Sequence, residues 1–275
     1  MSGPERKEQE AMAQTLELAK AELVDIARRR MSEHLTMPAW TVREKLALTC
    51  RILFAKGHDS GLTGQITARG EAAGTFVTQR LGLGFDEINA SSLLLVDEDL
   101  NVLSGEGMPN PANRFHTWIY RNRQDVNCIV HTHPLHAVAL SMIGRPLKIA
   151  HMDTCVLYED TGFLPEWPGI PAGNEEGKAI SAALGTKRAA LLAHHGLIAA
   201  CRSVEEACTV AVLFERAAQL QLLAESAGTI RDLPPELARE AHDWILQEKR
   251  SQAAFYYYAR QVLRNAQEGE GHPLS

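Results

Sequence analysis

The residues with the plainest chemistry lie in Ile129-Val130-His131-Thr132-His133-Pro134, where an apolar, β-branched run ends in two histidines two positions apart. On a strand, residues i and i+2 point to one face. The two imidazoles would stand about 6–7 Å apart along the strand, as two ligands of one metal ion would. Imidazole suits zinc, iron, nickel or copper. A second histidine pair sits in Leu191-Leu192-Ala193-His194-His195-Gly196-Leu197-Ile198, where two apolar, strand-like runs flank a His-His-Gly turn. Gly196 would let the chain reverse and return an imidazole to the first pair. The expected centre is His131, His133 and one of His194 or His195. The competing expectation is an ordinary pair, one histidine buried and bonded, the other exposed. The second pair weighs for the metal, because polar groups set in apolar strands need partners.

The elements that must position these histidines can be read from caps and periodicity. Residues 4–35 are rich in Glu, Ala, Leu, Lys and Arg and predict a helix, broken at Met37-Pro38. Thr41 and Glu44 form a capping box that opens a helix through Leu53, with Gly57 at its end. The stretch Gly57–Arg69 predicts a glycine-rich loop followed by a strand, and the loop could bind through backbone N–H groups or be an ordinary connection. Strands are expected at Phe76–Thr78 and Ser92–Val96, with a hairpin turn at Asp97-Glu98-Asp99. Asn110 and Pro111 open a helix that runs to about Asn122. A helix over Ala137–Ile143 and a long loop over 159–173 follow. Glu175–Leu184 is a short helix, and Ser203 to Glu206 caps a long amphipathic one. Pro234-Pro235 opens a last helical stretch, whose Tyr256-Tyr257-Tyr258 run reads as packing surface. Helices and strands mix without a regular βαβ rhythm, so an α/β/α layered domain is expected.

Composition narrows the function classes. With 275 residues, of which 45% are hydrophobic and 23% charged, the chain is long enough for one large domain or two small ones with an ordinary core. A net charge of -6 without a basic cluster argues against a nucleic-acid partner. The polar N-terminus does not look like a signal peptide. No continuous apolar run approaches the 18 or so residues of a bilayer span, so no membrane partner is expected. Five cysteines without CxxC spacing predict reduced thiols in a cytoplasmic protein.

Gly57–Arg69, the Arg114-Phe115-His116 helix start, Val130-His131-Thr132-His133 and His194-His195-Gly196-Leu197 stand in the order found in class II aldolase/adducin-like proteins. The chain resembles that family over about residues 40–230. The resemblance implies a single α/β/α layered domain around a mostly antiparallel central sheet, placed at residues 38–230. A helical extension over 1–37 would precede it. A C-terminal helical segment over 231–275 would pack on the domain or on a neighbouring subunit. It also implies one divalent metal ion (zinc, iron(II), manganese or cobalt) on His131, His133 and His195, because the family ligand directly precedes the glycine. His194 would then only support the site. A small-molecule substrate, a homotetramer and a pocket between subunits are implied as well.

The departures from the family pattern matter more than the matches. In its sugar-phosphate aldolases the metal polarises a carbonyl and stabilises an enediolate, while a glutamate at the start of the Arg-Phe-His helix acts as base. That position is Ala112 here, and Glu106 lies out of register. The two phosphate-binding serines become Asn110 and Pro111, and the threonine of the second phosphate loop becomes Leu81. The glycine-asparagine pair becomes Gly64-Gln65, and an aromatic hydroxyl near His151 becomes Met152. The expected function is therefore a metal-dependent carbon–carbon lyase, aldolase or decarboxylase, acting on a non-phosphorylated carboxylic or keto acid. Arg114, His116 and His151 are the catalytic candidates; Gly64, Gln65, Arg80 and Asn113 are the substrate-binding ones. One alternative is a non-haem iron oxygenase, since three histidines can hold ferrous iron with open positions. Enzymes of aminocoumarin-antibiotic synthesis that resemble this family decarboxylate prenylated aromatic acids oxidatively in that way. The other is a non-catalytic, adducin-like interaction module, which would have no need of the histidines.

Overall fold

The computed structural model describes residues 18–266 and 271–275. The chain divides into two compact units, Met1–Pro38 and Ala39–Ser275. In the first, helix α1 spans Lys20–His34, and the Glu22 carboxylate accepts the Ala19 N–H at 2.9 Å. No residue of α1 is buried. The part of the expected N-terminal helix before residue 18 lies outside the described residues.

The second unit opens with α2 (Val42–Ala55). Its capping box forms as expected: Thr41 Oγ1 accepts the Glu44 N–H at 3.2 Å, and the Glu44 carboxylate accepts the Thr41 N–H at 2.7 Å. Strands β1 (Gln65–Arg69), β2 (Thr75–Thr78), β3 (Leu94–Asp97) and β4 (Val102–Ser104) follow. A 3-10 turn at Pro111–Asn113 leads into α3 (Arg114–Asn122), then β5 (Cys128–Thr132) and α4 (Leu135–Met142). A second 3-10 segment, Met152–Leu157, precedes β6 (Thr161–Leu164), α5 (Asn174–Leu184), β7 (Ala189–Leu192) and β8 (Gly196–Cys201). The chain then forms α6 (Val204–Ala227), α7 (Pro235–Ile245) and α8 (Glu248–Asn265).

All eight strands join one sheet in the order β4-β3-β2-β1-β5-β8-β7-β6. Every neighbouring pair is antiparallel except β6 with β7. Strands β1, β5, β7 and β8 are buried at nearly every position rather than alternately, because helices cover both faces. On one face Phe115, Ile119 and Tyr120 of α3 and Ile180 and Leu184 of α5 pack on Ile129, Ile198 and Ala200. On the other, α2, α6 and α8 pack together. This is the expected α/β/α layering around a mostly antiparallel sheet.

Two expectations are corrected. The loop over 159–173 contains β6, which runs parallel to β7 through the α5 crossover, so one βαβ unit is present. The strand is only four residues long and includes Gly162, which weakens the strand signal. Glycine is required there, since a Cβ would lie 2.2 Å from the Ala183 carbonyl oxygen. Helix α6 is long and apolar enough by composition to cross a membrane. It is a core helix here, and its buried Glu215 accepts the His136 and Ala137 N–H groups at 3.0 and 2.9 Å, anchoring the start of α4. The C-terminal aromatic run mostly packs within its own unit: Trp40 stacks near Phe255 and Tyr256, at 6.5 and 4.9 Å between ring centroids.

The β6–β7 edge is tied by charge. Asp160 accepts the Arg188 N–H at 2.9 Å and pairs with the Arg188 guanidinium, which also meets Glu206 at 2.7 Å. His242 of α7 reaches Asp160 at 3.5 Å. The hydrogen bond to Asp160 raises the His242 pKa above its ordinary value. A raised folded pKa gives stability that is complete below the unfolded value of about 6.5, and that fades as pH rises through the folded value. His242→Gln should therefore destabilise more at about pH 6 than at about pH 8, as read by urea unfolding. An equal loss at both pH values would show that the pairing does not act through charge. Asp160→Asn should cost about 1.5–3 kcal/mol, the range for a lost charge-assisted hydrogen bond, since it leaves the Arg188 guanidinium with Glu206 as its remaining carboxylate.

Candidate metal centre

His131 is the next-to-last residue of β5 and pairs across the sheet with Gln65 of β1 and Ile198 of β8. His133 lies just beyond the strand end. His195 arrives on the β7–β8 turn, where its N–H donates to the Leu192 carbonyl at 3.1 Å. The three imidazoles converge, with each pair of ring centroids 4.7 Å apart. One ligand nitrogen from each lies within 4.8 Å of the others, and the Nε2 atoms of His131 and His133 are 2.9 Å apart. The turn thus selects His195, while His194 is exposed in a left-handed conformation at φ 56°. The reversal falls on His194 and not on Gly196. Gly196 serves close approach instead: a Cβ there would lie 2.5 Å from the Thr132 carbonyl oxygen and 2.6 Å from His133 Cδ2.

These residues fit a divalent ion. His131 Nδ1 donates to the Leu197 carbonyl at 2.9 Å, which fixes the tautomer and leaves the Nε2 lone pair facing its two partners. Burial, and then the neighbouring His195 and His133, hold the His131 pKa well below the ordinary histidine range. Burial and His133 lower His195 to about 4, and burial lowers His133. All three are therefore neutral donors near neutral pH, as metal binding requires. Among the described residues no carboxylate joins the group.

A polar network covers the sheet face beside the triad. His116 is fully buried, and burial takes its pKa down to about 3. Its Nδ1 lies 2.8 Å from Thr67 Oγ1, which is 3.0 Å from the Tyr120 hydroxyl. Asn113 Nδ2 donates to Thr78 Oγ1 at 3.0 Å. The edge of Phe115 meets the His131 ring at 5.1 Å between centroids. On the other side of β5, His58 Nδ1 lies 2.8 Å from the hydroxyl of Thr132, the residue between His131 and His133. His58, Thr67, Thr78 and Tyr120 were not singled out from sequence. Thr67 stands between Ile66 and Ala68, which marks it as buried but does not identify its partners, and the polar, glycine-rich stretch around His58 gives no sign of its burial.

The other candidates divide. Gln65, Asn113 and His116 lie on the triad's side of the sheet, and Gly64, at φ 101°, passes so close that a Cβ would lie 3.1 Å from the His131 carbonyl oxygen. Arg80 lines a cleft with Gly64, Gly82 and Asn110, and among the described residues no carboxylate pairs with it. Arg114 reaches Asp99 instead, at 3.5 Å, in the β3–β4 turn. That turn is at the far end of the sheet, since Asp97 pairs with Thr75 while His131 pairs with Gln65. His151 is exposed and accepts the Asp153 N–H at 3.3 Å. Neither Arg114 nor His151 contacts the triad. Glu106 is exposed.

The chain is similar to known proteins over most of its length. A 3,4-dihydroxyphthalate decarboxylase of Arthrobacter keyseri is 34% identical over 73% of this chain and 86% of its own length. Decarboxylase NovR of Streptomyces niveus is 31% identical over 70% of this chain and 73% of its own length. Among solved structures, L-fuculose 1-phosphate aldolase from Glaciozyma antarctica PI12 superposes with a TM-score of 0.75 at 26% identity, covering 84% of this chain and 95% of that one. Residues 44–222 match the Class II Aldolase and Adducin N-terminal domain, and with the sheet order and the histidine triad in place the chain belongs to that family.

Proposed function

We propose that this protein is a divalent-metal-dependent carbon–carbon lyase that cleaves a non-phosphorylated carboxylic acid, by decarboxylation or by retro-aldol reaction. The start of α3 carries the reading. Ala112 stands where the sugar-phosphate aldolases place their base, and no carboxylate among the described residues joins the triad. Proton abstraction from a sugar carbon has no agent there. Decarboxylation needs no base, only a held carboxylate and an electron sink for the pair left as carbon dioxide departs, while a retro-aldol reaction would in addition release its hydroxyl proton to solvent. His131, His133 and His195 would hold the ion, which when bound supplies Lewis acidity to a chelated oxygen. Arg80, which pairs with no carboxylate among the described residues, would hold the carboxylate by charge and hydrogen bond.

The phosphate cradle supports the same choice. A phosphate dianion needs several convergent donors. Pro111 has no N–H. The Leu81 N–H donates to the Met108 carbonyl at 2.8 Å, and Asn110 Oδ1 caps the Ala112 N–H at 3.0 Å. Each missing donor forfeits about 1.5–3 kcal/mol toward a charged group. Anaerobic assays of the metal-loaded protein should give turnover of hydroxy or keto acids and little of dihydroxyacetone phosphate. Aldol turnover of that phosphate at kcat/KM of about 10⁴ M⁻¹s⁻¹ or more would refute the reading. The three nitrogen donors without a carboxylate favour a second reading, the ferrous oxygenase; turnover that requires oxygen would select it.

The assembly we propose is a homotetramer. Leu135, Met142, Ile143 and Leu223 are exposed by 73, 63, 51 and 60% around α4 and α6, an apolar surface of the kind subunits cover. Light scattering at micromolar concentration should give a multiple of the chain mass, and a monomer would contradict it. The five cysteines are free and buried, which suits a reducing cytoplasm.

A further inference from the structure

His58 stands behind the strand that carries two of the triad histidines, and a helix end holds it there. Its N–H donates to the Leu53 carbonyl at 2.9 Å, and the Gly57 N–H donates to the Phe54 carbonyl at 3.1 Å. With Gly57 in the left-handed region at φ 84°, these are the two bonds of a Schellman ending to α2. Ile52 and Leu53 of that helix are fully buried, so the anchor from which the His58 ring projects is rigid.

The ring reaches one group. His58 Nδ1 lies 2.8 Å from Thr132 Oγ1, and the two residues are 1 and 0% exposed. Thr132 is the last residue of β5, and its side chain points to the face opposite those of His131 and His133. A β-branched side chain is stiff at χ1, so holding its Oγ1 holds the backbone torsions of Thr132. Those torsions set how the His131 and His133 rings are aimed relative to each other. The glycine-rich loop that His58 begins returns to the same strand end at Gly64, where a Cβ would lie 3.1 Å from the His131 carbonyl oxygen and 3.7 Å from Thr132 Cα.

The pair is a poor device for stability. Burial lowers the His58 pKa to about 3, so the ring is neutral and carries one N–H. Whichever nitrogen carries it, Nε2 is buried without a partner among the described residues. A buried polar atom left unpaired costs at least as much as one hydrogen bond gains. What the pair supplies is geometry.

We propose that His58 is a positioning residue of the metal centre, which acts through Thr132 to aim His131 and His133 at one ion. The proposal rests on the metal-binding role of the triad given above.

The test sets zinc affinity, by competition with a chromophoric chelator, against urea unfolding of the metal-free proteins. His58→Leu combined with Thr132→Val replaces both partners by apolar groups of similar shape, a change that is nearly neutral or stabilising, and it also removes the stranded Nε2. Its urea midpoint should stay at or above that of wild type, while zinc binds at least about tenfold more weakly, the lower end of the loss seen when the supports of metal ligands are removed. His58→Asn keeps an amide where Nδ1 lies and should bind zinc within about threefold of wild type. A purely structural role would move the urea midpoint and leave the affinity alone. If the double variant does not fold, Thr132→Val alone is held to the same affinity criterion. Zinc bound within about twofold of wild type by the folded variant, or a His58→Asn affinity as low as that of the double variant, overturns the role of His58 and leaves the triad standing. Failure of the wild type to bind zinc overturns both.

Discussion

Stripping the divalent ion with a chelator should lower the melting temperature by about 5–10 °C. An ion at a hundred times its dissociation constant stabilises the folded state by about 2.7 kcal/mol, and each kcal/mol moves the midpoint of a chain this size by about 2–4 °C. The effect arises because the triad is assembled only by folding: His131 and His133 come from β5, and His195 from a turn more than sixty residues later. His195→Ala should abolish the shift and leave the metal-free protein close to wild type, since His195 is only partly buried and its N–H bond to Leu192 is retained. His131→Ala should also abolish it, with an added stability loss from removing the ring that Phe115 and the Leu197 carbonyl hold. Differential scanning fluorimetry with zinc, and with zinc followed by chelator, checks all three. A full metal-induced shift in either variant would remove the triad from the assignment.

Much of this candidate site is legible in the sequence because its histidines sit in or beside strongly patterned strands. A β-branched run ending in His-Thr-His has few alternatives to a strand. The apolar runs on both sides of His194-His195-Gly196 demand a turn. What spacing leaves open is which histidine turns inward, and that is settled by the left-handed conformation at His194. Strand β6 was hidden because its pairing is parallel and distant, and its glycine is needed for packing against α5. The buried polar patch beside the triad was legible only in part, through Gln65, Asn113 and His116. Gln65, Thr67, Thr78, Asn113 and His116 come from four elements, and only the pairing of β1 with β2 and β5 places them on one face. Arg114 is adjacent to Phe115 and His116 in sequence, but one residue around a helix is about 100° of rotation, which turns it toward Asp99.

Gly196→Ala should cut metal affinity by about 10–100-fold, the range seen when the supports of metal ligands are disturbed. The added methyl carbon would lie 2.5 Å from the Thr132 carbonyl oxygen and 2.6 Å from His133 Cδ2, and neither distance is tolerable between unbonded atoms. The carbonyl side cannot yield easily. Thr132 pairs with Leu197, and the β5–β8 ladder continues through His131 with Ile198 to Cys128 with Cys201, buried throughout. The His133 ring lies outside the strand and is less confined, so it is the part that moves. Moving it separates one ligand from the other two. The fold should lose about 1–3 kcal/mol, the usual cost of an extra methyl in a packed interior, and remain folded. Gly228→Ala is the matching control, because a Cβ there meets nothing within 4 Å; it should leave affinity unchanged. Competition with a chromophoric chelator gives the dissociation constant, and urea unfolding of the metal-free proteins gives the stability. If Gly196→Ala binds zinc within about twofold of wild type while unfolding normally, then Gly196 is not what holds His133 in register with His131 and His195, and the close packing of β8 against the metal strand has no part in building the centre.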